Sequence, residues 1–247
     1  MAIETLPALA PVIKTEADAK AQLQRIGWLA QLPEPFRHNL LGRCRLQKVE
    51  GGKRVYGLDD PPGGIYGVAS GSVSMSLAPQ ERGPYFGHLM GPGSWFGLAA
   101  AVYKQSRVVG ATATRASILL LLPMAEFDAL VAENPASWRF FTAMALMNAS
   151  ISMNAADDLL IRDTSRRCIA TLLRLAGLRN TAGLTPPLSE VDVTQEELAY
   201  LSNLSRNAAG LLLRDLQKRG HIELAYKTIR ILDPAALQDL VRNGGEA

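Results

Sequence analysis

Near the end of the chain the stretch SRNAAGLLLRDLQKR, residues 205–219, carries arginines and carboxamides at helical spacing. At 100° per residue Ala209, Leu212 and Leu216 form an apolar side. Arg206, Asn207, Gly210, Arg214 and Gln217 fall within an arc of about 100° on the other side. That arc holds no carboxylate, whereas an ordinary solvated helix face mixes signs. Guanidinium and carboxamide groups bond guanine edges, adenine edges and phosphate, so the pattern points to DNA rather than to a helix that only packs. Gly210 in mid-helix costs about 1 kcal/mol relative to alanine, which suits a place where another backbone comes close.

The elements that position this face are legible around it. VTQEELAYLS predicts a preceding helix with Thr194 and Glu197 as a capping box. SNLS predicts a turn with Ser205 as the next N-cap. HIELAYKTIRIL predicts a hairpin turning at Tyr226 and Lys227, so the whole is a winged helix-turn-helix.

Metal and thiol chemistry find little support. Cys44 and Cys168 are too few and too far apart for a disulfide framework, a zinc cage or an iron–sulfur cluster. His38, His88 and His221 lie in three separate regions without metal-ligand spacing. A net charge of +3 over 247 residues implies no nucleic acid by itself. The apolar runs FGLAAAVY and SILLLLPMA are too short to span a membrane, and the N-terminus lacks the order of a secretory signal, so a cytoplasmic protein is expected.

Upstream, residues 42–123 read as short strands between glycine-rich turns: RLQKVE, KRVYG, GGIYGVASGSVSMSLAP, YFGHLM, SRVVGATATR and SILLLLP. In SGSVSMSLA, Val73, Met75 and Leu77 alternate with serines, as in a strand with one buried face. An antiparallel barrel or jelly roll of roughly 80 residues is expected. A helix of about 28 residues follows, about 42 Å long, with Asn134 as N-cap and Pro135 at its first position. On it Phe140, Met144, Met147 and Ile151 step by four, three and four, a seam for the same helix of a second chain or for packing along its own domain.

Taken together, these segments resemble the Crp/Fnr superfamily of bacterial transcription regulators from about Gly27 to Asp233. GGKRVYGLDDPPGGIYGVASGSVSMSL is similar to its barrel strands, GPGSWFGLAAAVYKQSRVVGATA to its phosphate-binding cassette, and VTQEELAYLSNLSRNAAGLLLRDLQKRGHIEL followed by KTIRIL to its DNA-binding element. The resemblance implies an α+β chain in three parts. These are a helical lead-in and cyclic-nucleotide-binding-like barrel over 1–133, a dimerisation helix over 134–162, and a winged helix-turn-helix over 163–247, with Asp163 at the hinge. It implies DNA contacts from Thr194, Ser205 and Arg206, to which the helix face adds Asn207, Gly210 and Arg214, with Gln195 and Lys227 expected beside them. Where members reading a guanine and its neighbour often have glutamate and then arginine, this chain has Asn207 and Leu211, so a different operator is expected.

The cassette departs further. Cyclic-nucleotide sensors resemble phenylalanine, glycine, glutamate, then arginine followed by a hydroxyl residue; here stand Phe96, Gly97, Leu98, Arg107 and Val108. A ribose hydroxyl buried against Leu98 would go unpaired at about 1–3 kcal/mol, and Val108 removes a further donor. On the long helix Ser152 keeps a hydroxyl where base-reading members have two, but Met153 does not. Cyclic AMP is therefore not the expected effector. The expected pocket is Arg107 among apolar walls that include Trp95, Phe96, Gly97, Leu98 and Val108, with Ser152 above, suited to an anion with an apolar body. Haem would need an axial ligand, for which His88 alone offers itself, and no cofactor is expected. The implied partners are a palindromic double-stranded DNA operator, a second copy of the chain, an unknown small effector and, for an activator, RNA polymerase. A ligand-free constitutive regulator is the alternative. A cupin-like enzyme would need more histidines in the barrel, so no enzyme activity is expected.

Overall fold

The computed structural model describes residues 13–77, 85–179 and 188–243. Most of the stretch LRNTAGLTPPLSEVD, whose two prolines predict a loop or edge segment, lies outside these residues, as does the extreme N-terminus. Three short helices lead in: α1 (Glu16–Arg25), α2 (Gly27–Ala30) and α3 (Glu34–Arg43). Thr15 caps α1 through a capping box with Asp18.

Eight strands then form the expected jelly roll, all pairings antiparallel: β1 (Arg45–Val49), β2 (Arg54–Tyr56), β3 (Gly64–Ser70), β4 (Val73–Leu77), β5 (Tyr85–Met90), β6 (Trp95–Phe96), β7 (Gly110–Ala113) and β8 (Ser117–Pro123). One sheet runs β1-β8-β3-β6 and the other β2-β7-β4-β5. Val68, Val73, Ala111 and Leu119 fill the space between them. A short helix the strand pattern did not show, α4 (Leu98–Tyr103), follows β6, and α5 (Met124–Glu133) follows β8.

The alternation expected along β4 is only half right. Val73 is buried, but so are Ser72 and Ser74, and Met75 is half-buried. Ser74 faces the C-terminal region across a cleft of about 200 Å³ lined by Ser74, Leu89, Thr114, Glu197 and Tyr200, while Ser72, just before the strand, is buried against Ser117 of the barrel itself.

The long helix starts later than expected. Pro135–Ser137 form a 3-10 turn, and Asn134 makes no side-chain cap. Helix α6 runs Trp138–Leu160, 23 residues, or about 35 Å at 1.5 Å per residue. Its inner face, Phe141, Met144 and Met147, joins Trp28, Phe36, Trp95 and Phe127 in one aromatic-rich core. No helix among the described residues is long and apolar enough to cross a membrane.

Asp163 accepts a bond from the Arg166 N–H at 2.7 Å and so caps α7 (Thr164–Leu175) at the hinge. There follow β9 (Glu190–Val191), α8 (Gln195–Leu201), α9 (Arg206–Lys218), the hairpin β10 (Ile222–Ala225) and β11 (Thr228–Ile231), and α10 (Pro234–Asn243). Strands β10-β11-β9 form the wing sheet, with Lys227 at φ +62° in its two-residue turn.

Candidate nucleic-acid interface and effector site

The capping box at Thr194 forms as expected: its hydroxyl accepts from the Glu197 N–H at 3.1 Å, and the Glu197 carboxylate accepts from the Thr194 N–H at 2.7 Å. Ser205 accepts from the Ala208 N–H at 3.2 Å. Each hydroxyl accepts from its helix and keeps its own proton to donate, the arrangement that a phosphate oxygen requires.

Helix α9 buries Ala209, Leu213 and Leu216, with Leu212 half-buried. Arg206, Asn207 and Arg214 stand on the exposed side, and neither arginine joins an ion pair among the described residues. Gln195 is exposed at the start of α8, and Lys227 is exposed at the wing tip with its ammonium 5.2 Å from the Tyr226 ring. Two members of the expected arc behave differently. Gly210 is buried, and a Cβ there would meet only the side chains of Arg214 and Gln195 at 3.5 and 3.6 Å, so no backbone of this chain approaches it. Gln217 accepts from the Leu224 N–H at 2.9 Å and ties α9 to the wing.

A residue without any sequence signal holds the turn between α8 and α9. The buried Arg167 donates to the carbonyls of Ser202 at 2.6 Å, Asn203 at 3.2 Å and Ile161 at 2.8 Å, joining hinge to turn. A guanidinium can satisfy three carbonyls at once because its donors are fixed in a fork.

The region docks on the barrel through a polar junction that the sequence also did not announce. Asp158, on α6, is 1% exposed and accepts from Arg174 Nε and from Arg179 Nε, each at 2.7 Å. Arg174 Nη1 lies 2.9 Å from His88 Nδ1. Arginine can only donate, so Nδ1 accepts and the imidazole is neutral. Burial and then the Arg174 charge push the His88 pKa down to about 3. Leu89 beside it packs into the core of the C-terminal region with Cys168 and Leu201. Arg115, between β7 and β8, pairs with Asp192 at 3.0 Å and Glu197 at 3.4 Å. Burial pushes the thiols of Cys44 and Cys168 up, to about 12 and about 11, so both stay protonated.

The expected effector pocket is rearranged. Consecutive residues of a strand face opposite ways. Phe96 accordingly points into the barrel while Trp95 points out, edge-on to Trp28. Leu98 packs on the outer core with Trp95, Val108 is 70% exposed, and Ser152 is exposed with its hydroxyl donating to the Asn148 carbonyl at 3.0 Å. None of these three flanks the Arg107 guanidinium. Arg107 is 3% exposed and donates from Nη1 to the Gly97 carbonyl at 2.9 Å and from Nη2 to the Gly64 carbonyl at 2.7 Å. It lies 4.1 Å over the Tyr56 ring, and Tyr66 stacks on Phe96 at 5.5 Å. Gly97 sits at φ +94°, and a Cβ there would come within 2.9 Å of Arg107 Nη1, so only glycine admits this contact. The tyrosines escaped the sequence reading because they belong to strands outside the cassette.

The seam chosen on α6 also faces inward. Met144 and Met147 are buried, and Phe140 and Ile151 pack against the same core, because α1–α3 and the barrel cover that side. The opposite side carries a second stripe of exposed Thr142, Leu146, Ala149, Met153, Ala156 and Leu160, stepping by four and three in turn; Leu146 and Met153 are each 66% exposed and Leu160 79%.

The cyclic nucleotide-binding domain family matches residues 46–134, and the Crp-like helix-turn-helix domain family matches residues 166–240. The chain is 28% identical over 192 residues to the cyclic AMP receptor protein of Thermus thermophilus, covering 76% of this chain and 84% of that one. It is 23% identical over 194 residues to the transcriptional regulatory protein btr of Bordetella pertussis, covering 78% and 80%. The fold is shared with FixK2 from Bradyrhizobium japonicum, at a TM-score of 0.68, 16% identity and coverage of 80% and 96%. It is shared too with the c-di-GMP responsive regulator CLP of Xanthomonas campestris, at 0.59, 22%, and coverage of 81% and 99%. With a nucleotide-binding-type barrel in front of a Crp-type helix-turn-helix, the chain belongs to the Crp/Fnr superfamily and is a DNA-binding transcription regulator.

Proposed function

We propose that the protein works as a homodimer on a palindromic operator, and that its barrel does not use cyclic AMP. One observation carries the DNA reading: Arg206, Asn207 and Arg214 project from the open side of α9, between the Ser205 cap and the wing-tip Lys227. Arg206 reads a base, while Thr194, Gln195, Ser205 and Lys227 position the protein on phosphates. Arg206→Ala is expected to cost about 1–3 kcal/mol and to relax one base-pair position in each half-site. Lys227→Ala is expected to weaken all sequences alike and to flatten the salt dependence by about one unit of slope. Equal loss on every sequence for both variants would remove Arg206 from base reading.

The homodimer is supported by the exposed heptad stripe on α6, whose four-three spacing fits a two-helix seam. RNA polymerase is the further partner if the protein activates.

The bonds of Arg107 support a barrel without cyclic AMP. Both of its terminal nitrogens are already bound to carbonyls, and Tyr56 lies against its face. A cyclic phosphate would have to break these contacts before Arg107 could bind it. Calorimetry at micromolar cyclic AMP is expected to show no binding. A dissociation constant in the low micromolar range, coupled to tighter operator binding, would refute this. The same contacts favour a second reading, a barrel that holds itself closed and a regulator that binds its operator without effector.

A further inference from the structure

We infer that Leu211 reads the C5-methyl group of a thymine in each operator half-site. The inference rests on the DNA-binding role proposed above and adds one base to it. Leu211 is 64% exposed, while Leu213 and Leu216 are 0% and 2% exposed in the core of the same helix. At 100° per residue the direction opposite Ala209, Leu213 and Leu216 passes among Asn207, Arg214, Leu211 and Lys218, and Leu211 lies within about 30° of it.

A lone exposed leucine is common on protein surfaces. This one stands in the middle of a strip of hydrogen-bonding groups, with Asn207 one turn before it and Arg214 three residues after it. Every base edge in the major groove offers donors or acceptors, and thymine alone adds an apolar methyl. Leucine can bond none of the polar groups. Against guanine, cytosine or adenine it would strip water from them without replacement, so it selects thymine by attraction and by penalty together. Leu211 stands five positions after Arg206, about 7.5 Å along the helix, the span of about two base pairs.

Uracil pairs as thymine does and lacks only the methyl, which makes the test chemical rather than steric. Operators are selected from a random duplex library with the full-length protein, and each thymine of the half-site is replaced in turn by deoxyuridine. At one thymine, about two base pairs from the position relaxed in Arg206→Ala, wild-type affinity is expected to fall about fourfold, the effect of one buried methyl. Leu211→Ala is expected to bind thymine and uracil alike while keeping the Arg206-dependent preference. Equal wild-type binding of thymine and uracil at every position would overturn the inference, as would a Leu211→Ala protein that still discriminates. Selection of no sequence at all would overturn the DNA-reading role itself, and so is told apart from failure of the leucine contact.

Discussion

Asp158→Ala should lower the stability of the folded protein by about 3–5 kcal/mol, because it leaves the buried Arg174 without its anion and takes one of two carboxylates from Arg179, which keeps Asp157. Arg174 is 3% exposed at its side chain and Asp158 1%, so little water reaches the pair to screen it. Arg179, at 20%, can turn outward and recover part of its loss. Asp158→Asn should cost less, since its amide oxygen still accepts one bond. Urea unfolding followed by tryptophan fluorescence, which reports Trp28, Trp95 and Trp138, and by circular dichroism would measure both. An Asp158→Ala protein as stable as wild type would show that the junction contributes no net stability. His88 gives this junction a pH dependence. Its folded pKa of about 3 lies below the ordinary 6.5, so between these values the unfolded chain takes up a proton that the folded one refuses. Stability should therefore fall as pH drops below 6.5, and His88→Asn, which keeps an acceptor for Arg174, should remove that contribution.

Leu146→Glu combined with Met153→Glu should give monomers by sedimentation and reduce operator affinity by about 10²–10⁴-fold, since the two half-sites would no longer be bound together. Both side chains are 66% exposed in one protomer, so the substitutions leave its core intact. Met147→Glu should behave differently. That side chain is 6% exposed among the aromatic residues packed on α6, and a carboxylate there would destabilise the protomer itself. A Leu146→Glu, Met153→Glu protein that still sediments as a dimer would place the interface elsewhere.

The sequence by itself determined whatever depends on local chemistry. The capping box of Thr194 and Glu197, the Ser205 cap and the Tyr226–Lys227 hairpin are decided by residues within a few positions of one another, and each forms where its residues stand. Strand periods and turn signals likewise marked the jelly roll. Only the tertiary structure decided which of two apolar stripes on α6 turns inward. Both step by three and four, and the choice belongs to α1–α3 and the barrel, which bury Met144 and Met147 and leave Leu146 and Met153 outside. The same holds for Ser74 of β4, which is buried beside a cleft shared with a region more than a hundred residues away in the chain. Arg107 was recognisable as a cation, but the carbonyls of Gly64 and Gly97 and the ring of Tyr56 that occupy it come from three separated segments. The cluster of His88, Asp158, Arg174 and Arg179 joins β5, α6 and the end of α7. A buried charge needs its partner in space rather than in sequence, and no periodicity along the chain records where that partner will be.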